Sequence, residues 1–151
     1  MSRTPPGGTR ALALVAAALL LLSACSEGDE KTTVTRERVV GDWTAPGGEK
    51  LALGADRSFT ATGLDAGPLA GKRCPGGKVS GRWKFFADLG DGMYGTSERA
   101  TSGDRIGLSF RGLAQEDCAV DLAVVDRGRT LCATDDPDVA CGLDVRFTRR
   151  T

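Results

Sequence analysis

Val79-Ser80-Gly81-Arg82-Trp83-Lys84-Phe85 is the stretch of sequence that decides the fold. Its odd-numbered positions are apolar or glycine, whereas Ser80, Arg82 and Lys84 are polar. Successive side chains of a β-strand point to opposite faces, so this period of two predicts a half-buried antiparallel strand. We therefore expect a sheet with one face buried in a core.

The same alternation continues on both sides of this stretch. Turn sequences such as Pro46-Gly47-Gly48 and Gly54-Ala55-Asp56-Arg57 separate the alternating segments. No segment of the expected mature chain, residues 25–151, has the 3.6-residue period of an amphipathic helix. The pattern predicts an all-β fold, a single antiparallel up-and-down β-barrel of about eight strands, with a sandwich as the alternative. The expected strands lie near residues 39–44, 50–53, 58–62, 79–85, 105–111, 118–124, 130–134 and 143–148.

Aromatic side chains occupy the apolar positions of these strands. An eight-stranded barrel can be filled by its own side chains or can hold one small ligand. We expect the aromatic set to form the core, and it would line the ligand space if the barrel is hollow. Its members are Trp43, Phe59, Trp83, Phe85, Phe110 and Phe147. The intervening segment 87–104, rich in glycine, is predicted as a long loop.

The first 25 residues predict export. Arg3 and Arg10 precede an apolar run over residues 11–22, which is short for a bilayer span of about 20 residues. This combination is typical of a signal peptide. Leu22-Ser23-Ala24-Cys25 resembles the lipobox of bacterial lipoproteins. The resemblance implies that residues 1–24 are removed and that Cys25 carries diacylglycerol and a fatty acid such as palmitate. An ordinary secretion signal with a chance cysteine is the alternative.

The lipobox resemblance defines the domain organisation and the location. Residues 25–37 form the lipidated cysteine and a flexible polar tether, and residues 38–151 form the barrel domain. The lipid would hold the protein on the extracytoplasmic face of the cell membrane. The chain has 20 basic and 20 acidic residues, so we expect no nucleic-acid partner.

Four cysteines remain after Cys25. An exported protein meets oxidising conditions, which favours two disulfides, and three pairings are possible. A turn-like segment separates Cys132 from Cys141, so we expect that bridge and, by elimination, Cys74–Cys118. A zinc site formed by the four thiolates is the alternative, but the closely spaced pairs typical of such sites are missing.

The residue types argue against catalysis. The sequence contains no histidine, which excludes a Ser-His-Asp or Cys-His nucleophile within this chain. Two groups of acidic residues are candidate sites: the first could hold calcium, but a solvated turn explains it better, and the second could supply an acid–base pair, but ordinary exposed acids explain it better. They comprise Asp135, Asp136, Asp138 and Asp144, and Glu116, Asp117 and Asp121. We therefore expect no enzyme activity, no cofactor and no metal.

Val40-Gly41-Asp42-Trp43 resembles the Gly-x-Trp motif of lipocalin-like barrels. The resemblance implies that Trp43 closes one end of the barrel, with Arg146 or Arg149 of the last strand over its ring as a cation–π contact. The region 39–149 is also similar to small lipocalin-like lipoproteins of high-G+C Gram-positive bacteria. These often have an Asp-Pro-Asp sequence before the final strand, which Asp136-Pro137-Asp138 matches here. The Thr-Asp-x-Tyr motif and the C-terminal helix of true lipocalins are absent from the sequence.

Three classes of function remain. The first is a surface-anchored binding module that holds a small apolar ligand in the barrel or an extracellular protein partner at its loops. The second is a tethered inhibitor of an extracellular hydrolase, such as a protease or lysozyme. The third and least favoured is an enzyme. Since a closed barrel has no free strand edge, we expect a monomer.

Overall fold

The computed structural model describes residues 1, 29–114 and 117–150. The structure consists almost entirely of β-strands, with one single-turn helix, α1 (Arg36–Val39), and 3₁₀ turns at Gly67–Lys72 and Asp126–Gly128. In chain order the strands are β1 (Val34–Thr35), β2 (Gly41–Thr44), β3 (Lys50–Leu53), β4 (Ser58–Thr62), β5 (Lys78–Gly90), β6 (Met93–Ser97), β7 (Ser102–Gly103), β8 (Arg105–Phe110), β9 (Asp121–Val125), β10 (Thr130–Thr134) and β11 (Arg146–Arg149).

Eight of these strands form a closed antiparallel barrel. They are β2, β3, β4, β5, β8, β9, β10 and β11, and each pairs with the next in that order. The last strand then pairs with the first, with Thr148 opposite Thr44 and Arg149 opposite Trp43. The predicted all-β up-and-down barrel of eight strands is confirmed.

The segment 87–104, predicted as a loop, instead contains regular strands. Strand β5 continues to Gly90 and pairs with β6, which forms a hairpin beyond the barrel. The rings of Phe86 and Tyr94 stack across this hairpin, with centroids 5.8 Å apart. Asp91 and Gly92, both at positive φ, make the turn. The prediction was wrong here because the exposed hairpin has no buried face, and therefore no alternating pattern.

The inward-facing side chains form one continuous core. Edge-to-face contacts join Phe59 to Phe110 at 5.2 Å and Trp83 to Phe85 at 5.5 Å between ring centroids. Such aromatic pairs add about 0.5–1.5 kcal/mol beyond the burial of their area. The strand alternation therefore translates directly into one packed interior.

Helix α1 closes one end of the barrel. Val39 in this helix is fully buried, and its carbonyl accepts a hydrogen bond of 2.9 Å from Trp43 Nε1. The guanidinium of Arg149 lies 5.0 Å from the Trp43 ring centroid and donates to the carbonyl of Arg38. The cation–π contact expected from the Gly-x-Trp resemblance is thus made by Arg149. Arg146 pairs with Asp29 instead.

The described part of the predicted tether lies against the barrel. Asp29 Oδ1 pairs with Arg146 at 2.7 Å, and the Thr32 N–H donates to the Val124 carbonyl at 2.8 Å. Strand β1 pairs with β7. Residues 29–37, expected as a flexible tether, therefore make specific contacts, and the packed structure begins before residue 38.

Two disulfides stabilise the loops, with the predicted pairing. Cys74 is bonded to Cys118 and Cys132 to Cys141. The second bridge covers a small apolar cluster on the outer face of β9 and β10, which includes Ala123. No helix in the described ranges is long and apolar enough to cross a membrane.

Candidate functional site at the barrel mouth

The residues predicted as sites have different positions in the structure. Cys25 lies outside the described residues. The six aromatic residues are all buried in the core. Their rings occupy the space that a ligand inside the barrel would need, so the arrangement favours a packed interior. They are Trp43, Phe59, Trp83, Phe85, Phe110 and Phe147.

A cavity of about 350 Å³ opens at the end of the barrel opposite α1, and we call it the barrel mouth. Its position follows from the register: Gly41, next to α1, pairs with Leu53, and the other end of that strand pair leads into the loop 45–49. Mouths of β-barrels are common ligand sites. The lining residues are Ala45, Pro46, Gly47, Glu49, Pro68, Asp144, Val145 and Arg146.

Glu49 is the unusual residue of the barrel mouth. It continues the inward parity of Leu51 and is only 5% exposed. Its main-chain carbonyl accepts a hydrogen bond of 2.9 Å from the Ala45 N–H, which fixes the hairpin loop. The buried side-chain oxygen Oε2 has no hydrogen-bond partner among the described residues.

An unpartnered buried carboxylate oxygen is energetically costly. Leaving a buried polar group unsatisfied costs about 1–3 kcal/mol, and more for a charged group. Native proteins therefore pair nearly all such groups. The Glu49 carboxylate can satisfy this requirement only with a donor that enters the barrel mouth or by moving.

Gly47 makes room for this carboxylate. A Cβ atom at Gly47 would lie 2.6 Å from Oε1 and 2.7 Å from Oε2 of Glu49. On the other side, a Cβ at Gly67 would lie 3.8 Å from Oε1. A side chain at Gly47 would therefore crowd the carboxylate, whereas one at Gly67 would make only an ordinary van der Waals contact with it.

The charged groups around the cavity leave the mouth acidic. Asp144 is exposed and lines the rim. Arg146 also lines the cavity, but its guanidinium is paired with Asp29. The mouth therefore offers acceptors to a ligand and favours a positive charge.

An ion pair and a disulfide connect the loops around the mouth. Lys72, at the end of the 3₁₀ turn, pairs with Asp135 of the loop after β10. This hydrogen bond keeps the pKa of Asp135 below its usual value. The Cys74–Cys118 bridge ties the segment that follows this 3₁₀ turn to the segment before β9. A site between loops joined in this way is largely preformed, which lowers the entropy cost of binding.

The acidic groups considered in the sequence do not converge on one point. Asp136 Oδ1 accepts the N–H of Asp138, and within the described ranges no three Asp, Glu, Cys or His residues are placed to hold a metal. Asp121 pairs with Arg105, and its burial raises the pKa of Asp121. Glu116 lies outside the described residues.

Sequence reasoning missed Glu49 because it follows a glycine turn, where side-chain direction is hard to infer. One signal was present: Glu49 lies two residues before the inward Leu51, on the apolar parity. An acidic residue at such a position is an exception worth testing. Comparison with known proteins finds no matching family model, no matching curated protein and no matching solved structure.

Proposed function

We propose that this protein is a membrane-anchored extracytoplasmic lipoprotein whose lipocalin-like β-barrel is a binding module, and that it takes its ligand at the barrel mouth. The observation that carries the proposal is the buried Glu49 oxygen, which has no partner among residues 29–114 and 117–150, beside a cavity of about 350 Å³. Pockets of this size commonly bind small molecules. The proposal assigns no catalytic residue and no cofactor to the chain.

The docked N-terminal segment supports a site near the membrane. Cys25 lies four positions before Asp29, which pairs with Arg146 at the rim of the mouth. Four residues span at most about 14 Å of extended chain. A lipid on Cys25 would therefore keep the barrel mouth close to the bilayer surface, where membrane-derived ligands are concentrated.

Thermal melting tests this function. The full chain is melted with a panel of fatty acids, quinones, isoprenoids and small amines, because a ligand that binds the folded state raises the melting temperature. Pro68 is exposed and lines the mouth, so Pro68→Trp should reduce the shift. Thr60→Trp, on the outer face of β4, is the matched control. If no compound gives a saturable shift, or if Pro68→Trp has no effect, the mouth is not the binding site.

A second candidate is a protein partner, including an extracellular hydrolase that the barrel inhibits. The observation that favours it is the β5–β6 hairpin, where Leu89, Met93 and Tyr94 are 50%, 60% and 57% exposed. Exposed apolar side chains grouped on one element commonly mark interaction sites. A pull-down of proteases and lysozymes should lose its signal with Leu89→Ser and Met93→Ser. The Val139→Ser variant, at another exposed apolar residue, should keep it.

A further inference from the structure

We infer that the barrel mouth binds the primary ammonium group of a small ligand, with the Glu49 carboxylate as its acceptor and the apolar walls of the cavity around its body. This inference rests on the proposed function of the mouth as a binding site and names the chemical class of its ligand. An organic amine, rather than a fatty acid or another anion, is the expected occupant.

The chemistry of the acceptor favours a cationic donor. An ionised carboxylate only accepts hydrogen bonds, and a lysine-type ammonium offers three donors and a full positive charge. Hydrogen bonds between ionised partners are about twice as strong as neutral ones. Glu49 lines the cavity, and its buried oxygen Oε2 has no partner in the described part of the chain, so an ammonium that reaches this carboxylate from the cavity gains both the charge and the hydrogen-bond contributions.

The cations of the protein itself have other surroundings. The Arg146 guanidinium lines the same cavity, but it is bonded to Asp29 Oδ1 at 2.7 Å. Lys50 adjoins Glu49 in sequence, yet it has the outward parity of β3 and is exposed. Within the described residues, neither Arg146 nor Lys50 forms an ion pair with the Glu49 carboxylate.

The shape of the cavity restricts the body of the ligand. Alanine, proline and valine side chains supply its apolar wall, which suits a short alkyl body. A calcium ion would need six to eight oxygen ligands, and the mouth offers the carboxylates of Glu49 and Asp144. The combination of one buried carboxylate with an apolar wall fits an alkyl ammonium better than a metal ion.

Isothermal titration of the purified full chain with three isosteric probes tests this inference. Pentylammonium carries the charge, 1-pentanol has the same body without it, and pentanoate reverses it. We expect saturable binding of pentylammonium, at least about tenfold weaker binding of 1-pentanol, and no binding of pentanoate. Equal binding of pentylammonium and 1-pentanol, or tighter binding of pentanoate, overturns the inference.

Variants locate the acceptor. Glu49→Gln keeps the shape and removes the charge, so the affinity for pentylammonium should fall at least about tenfold. The matched control is Asp144→Asn at the exposed rim, which removes the same charge and should have a smaller effect. If Glu49→Gln leaves the affinity unchanged while the melting temperature shows that it is folded, Glu49 is not the acceptor.

Gly47→Ala is a second variant for the case in which Glu49→Gln fails to fold. The added Cβ must displace the far end of the Glu49 side chain, which is flexible. The charge is then kept but misplaced, and the affinity for pentylammonium should fall severalfold. Unchanged affinity in a folded Gly47→Ala variant overturns the assignment.

Two further arms separate the source of the ammonium group and the two proposals. Nα-acetyl-lysine methylamide presents the same group on a peptide unit. Tighter binding of this probe than of pentylammonium would assign the site to a peptide lysine, and weaker binding would assign it to a free amine. A neutral lipophile could raise the melting temperature in a way that Pro68→Trp abolishes, while pentylammonium does not bind. That result would refute an ammonium ligand and would still support a binding module at the mouth.

Discussion

The guanidinium carbon of Arg57 lies 5.4 Å from the ring centroid of Trp83. Arg149 covers Trp43 in the same way, and each indole N–H donates to a main-chain carbonyl. The register places both pairs at the α1 end, because Gly41 lies opposite Leu53 and Ser58 opposite Arg82. This end of the barrel is therefore closed twice, by α1 and by two covered tryptophans, which leaves the mouth at the other end as the proposed site of entry.

The first prediction concerns Arg149. Its replacement by Met removes the cation–π contact with Trp43 and the hydrogen bond to Arg38, so the free energy of unfolding should fall by about 1–2 kcal/mol. Urea denaturation measures the change. Arg150→Met, next to it and exposed, should change the stability by less than about 0.5 kcal/mol. Equal effects of the two variants would show that the contact adds no stability.

The second prediction concerns the buried tryptophans. Trp43→Ala and Trp83→Ala each remove a fully buried side chain and should cost about 3–5 kcal/mol. A domain of this size has a net stability of about 5–15 kcal/mol, so each variant should be marginal or unfolded near 37 °C. Circular dichroism during heating measures this. Tyr94→Ala, an exposed aromatic, is the control, and native-like melting of both Trp variants would refute their role in the core.

The third prediction concerns Cys25. Diacylation anchors a protein stably, whereas one acyl chain binds a membrane only weakly. The wild type should therefore fractionate with membranes, and Cys25→Ser should appear in the medium. Intact mass spectrometry supplies the control, because the wild-type protein should carry the mass of the lipid. A soluble, unmodified wild type would exclude the lipoprotein assignment.

The fourth prediction concerns the disulfides. In the loop-entropy description, the Cys74–Cys118 bridge should contribute about 4 kcal/mol and the shorter Cys132–Cys141 bridge about 2.5–3 kcal/mol. Denaturation of the two double-serine variants compares them. Peptide mapping of the exported protein without reductant should recover both pairs, and four free thiols would contradict the oxidised structure.

The fifth prediction concerns the pH dependence. Burial raises the pKa of Asp121 above its ordinary value of 3.8, although Arg105 opposes this. A carboxyl whose pKa is higher in the folded state stabilises the protein below the unfolded pKa and loses that contribution as the pH rises through the folded value. The stability of the wild type relative to Asp121→Asn should therefore fall as the pH rises from 3.8. An opposite slope would show that Arg105 dominates.

The fold was accessible from the sequence because burial on one face forces a period of two. This holds for β5 up to Phe85, where Trp83 and Phe85 are buried and Val79 packs against the core on the same face. Beyond Phe85 both faces of the hairpin are partly exposed, so the pattern ends although the strand continues. Periodicity reports burial rather than hydrogen bonding, and it cannot detect a strand that buries neither face.

The candidate site was less accessible because it depends on contacts between distant parts of the chain. The surroundings of Glu49 include Gly67 and the loop before β11, and neither of them is near Glu49 in sequence. By contrast, parity was enough to choose between Arg146 and Arg149: Arg149 has the inward parity of Phe147, while Arg146 faces outward, where the structure pairs it with Asp29. Local patterns give the direction of a side chain, and tertiary structure gives its partner.

The segment docked before α1 can also lengthen the free N-terminal chain if it detaches from the barrel. It is held by the exposed Asp29–Arg146 pair, the Thr32–Val124 hydrogen bond, the two-residue pairing of β1 with β7 and the partly buried Val34. Exposed ion pairs contribute only about 0–1 kcal/mol each. A pull on a lipid at Cys25 would therefore detach residues 29–35 before any pair of barrel strands separates. About seven released residues add roughly 25 Å of extended chain. The folded barrel could thus reach across a larger distance from the bilayer under tension and return to the surface when the tension ends.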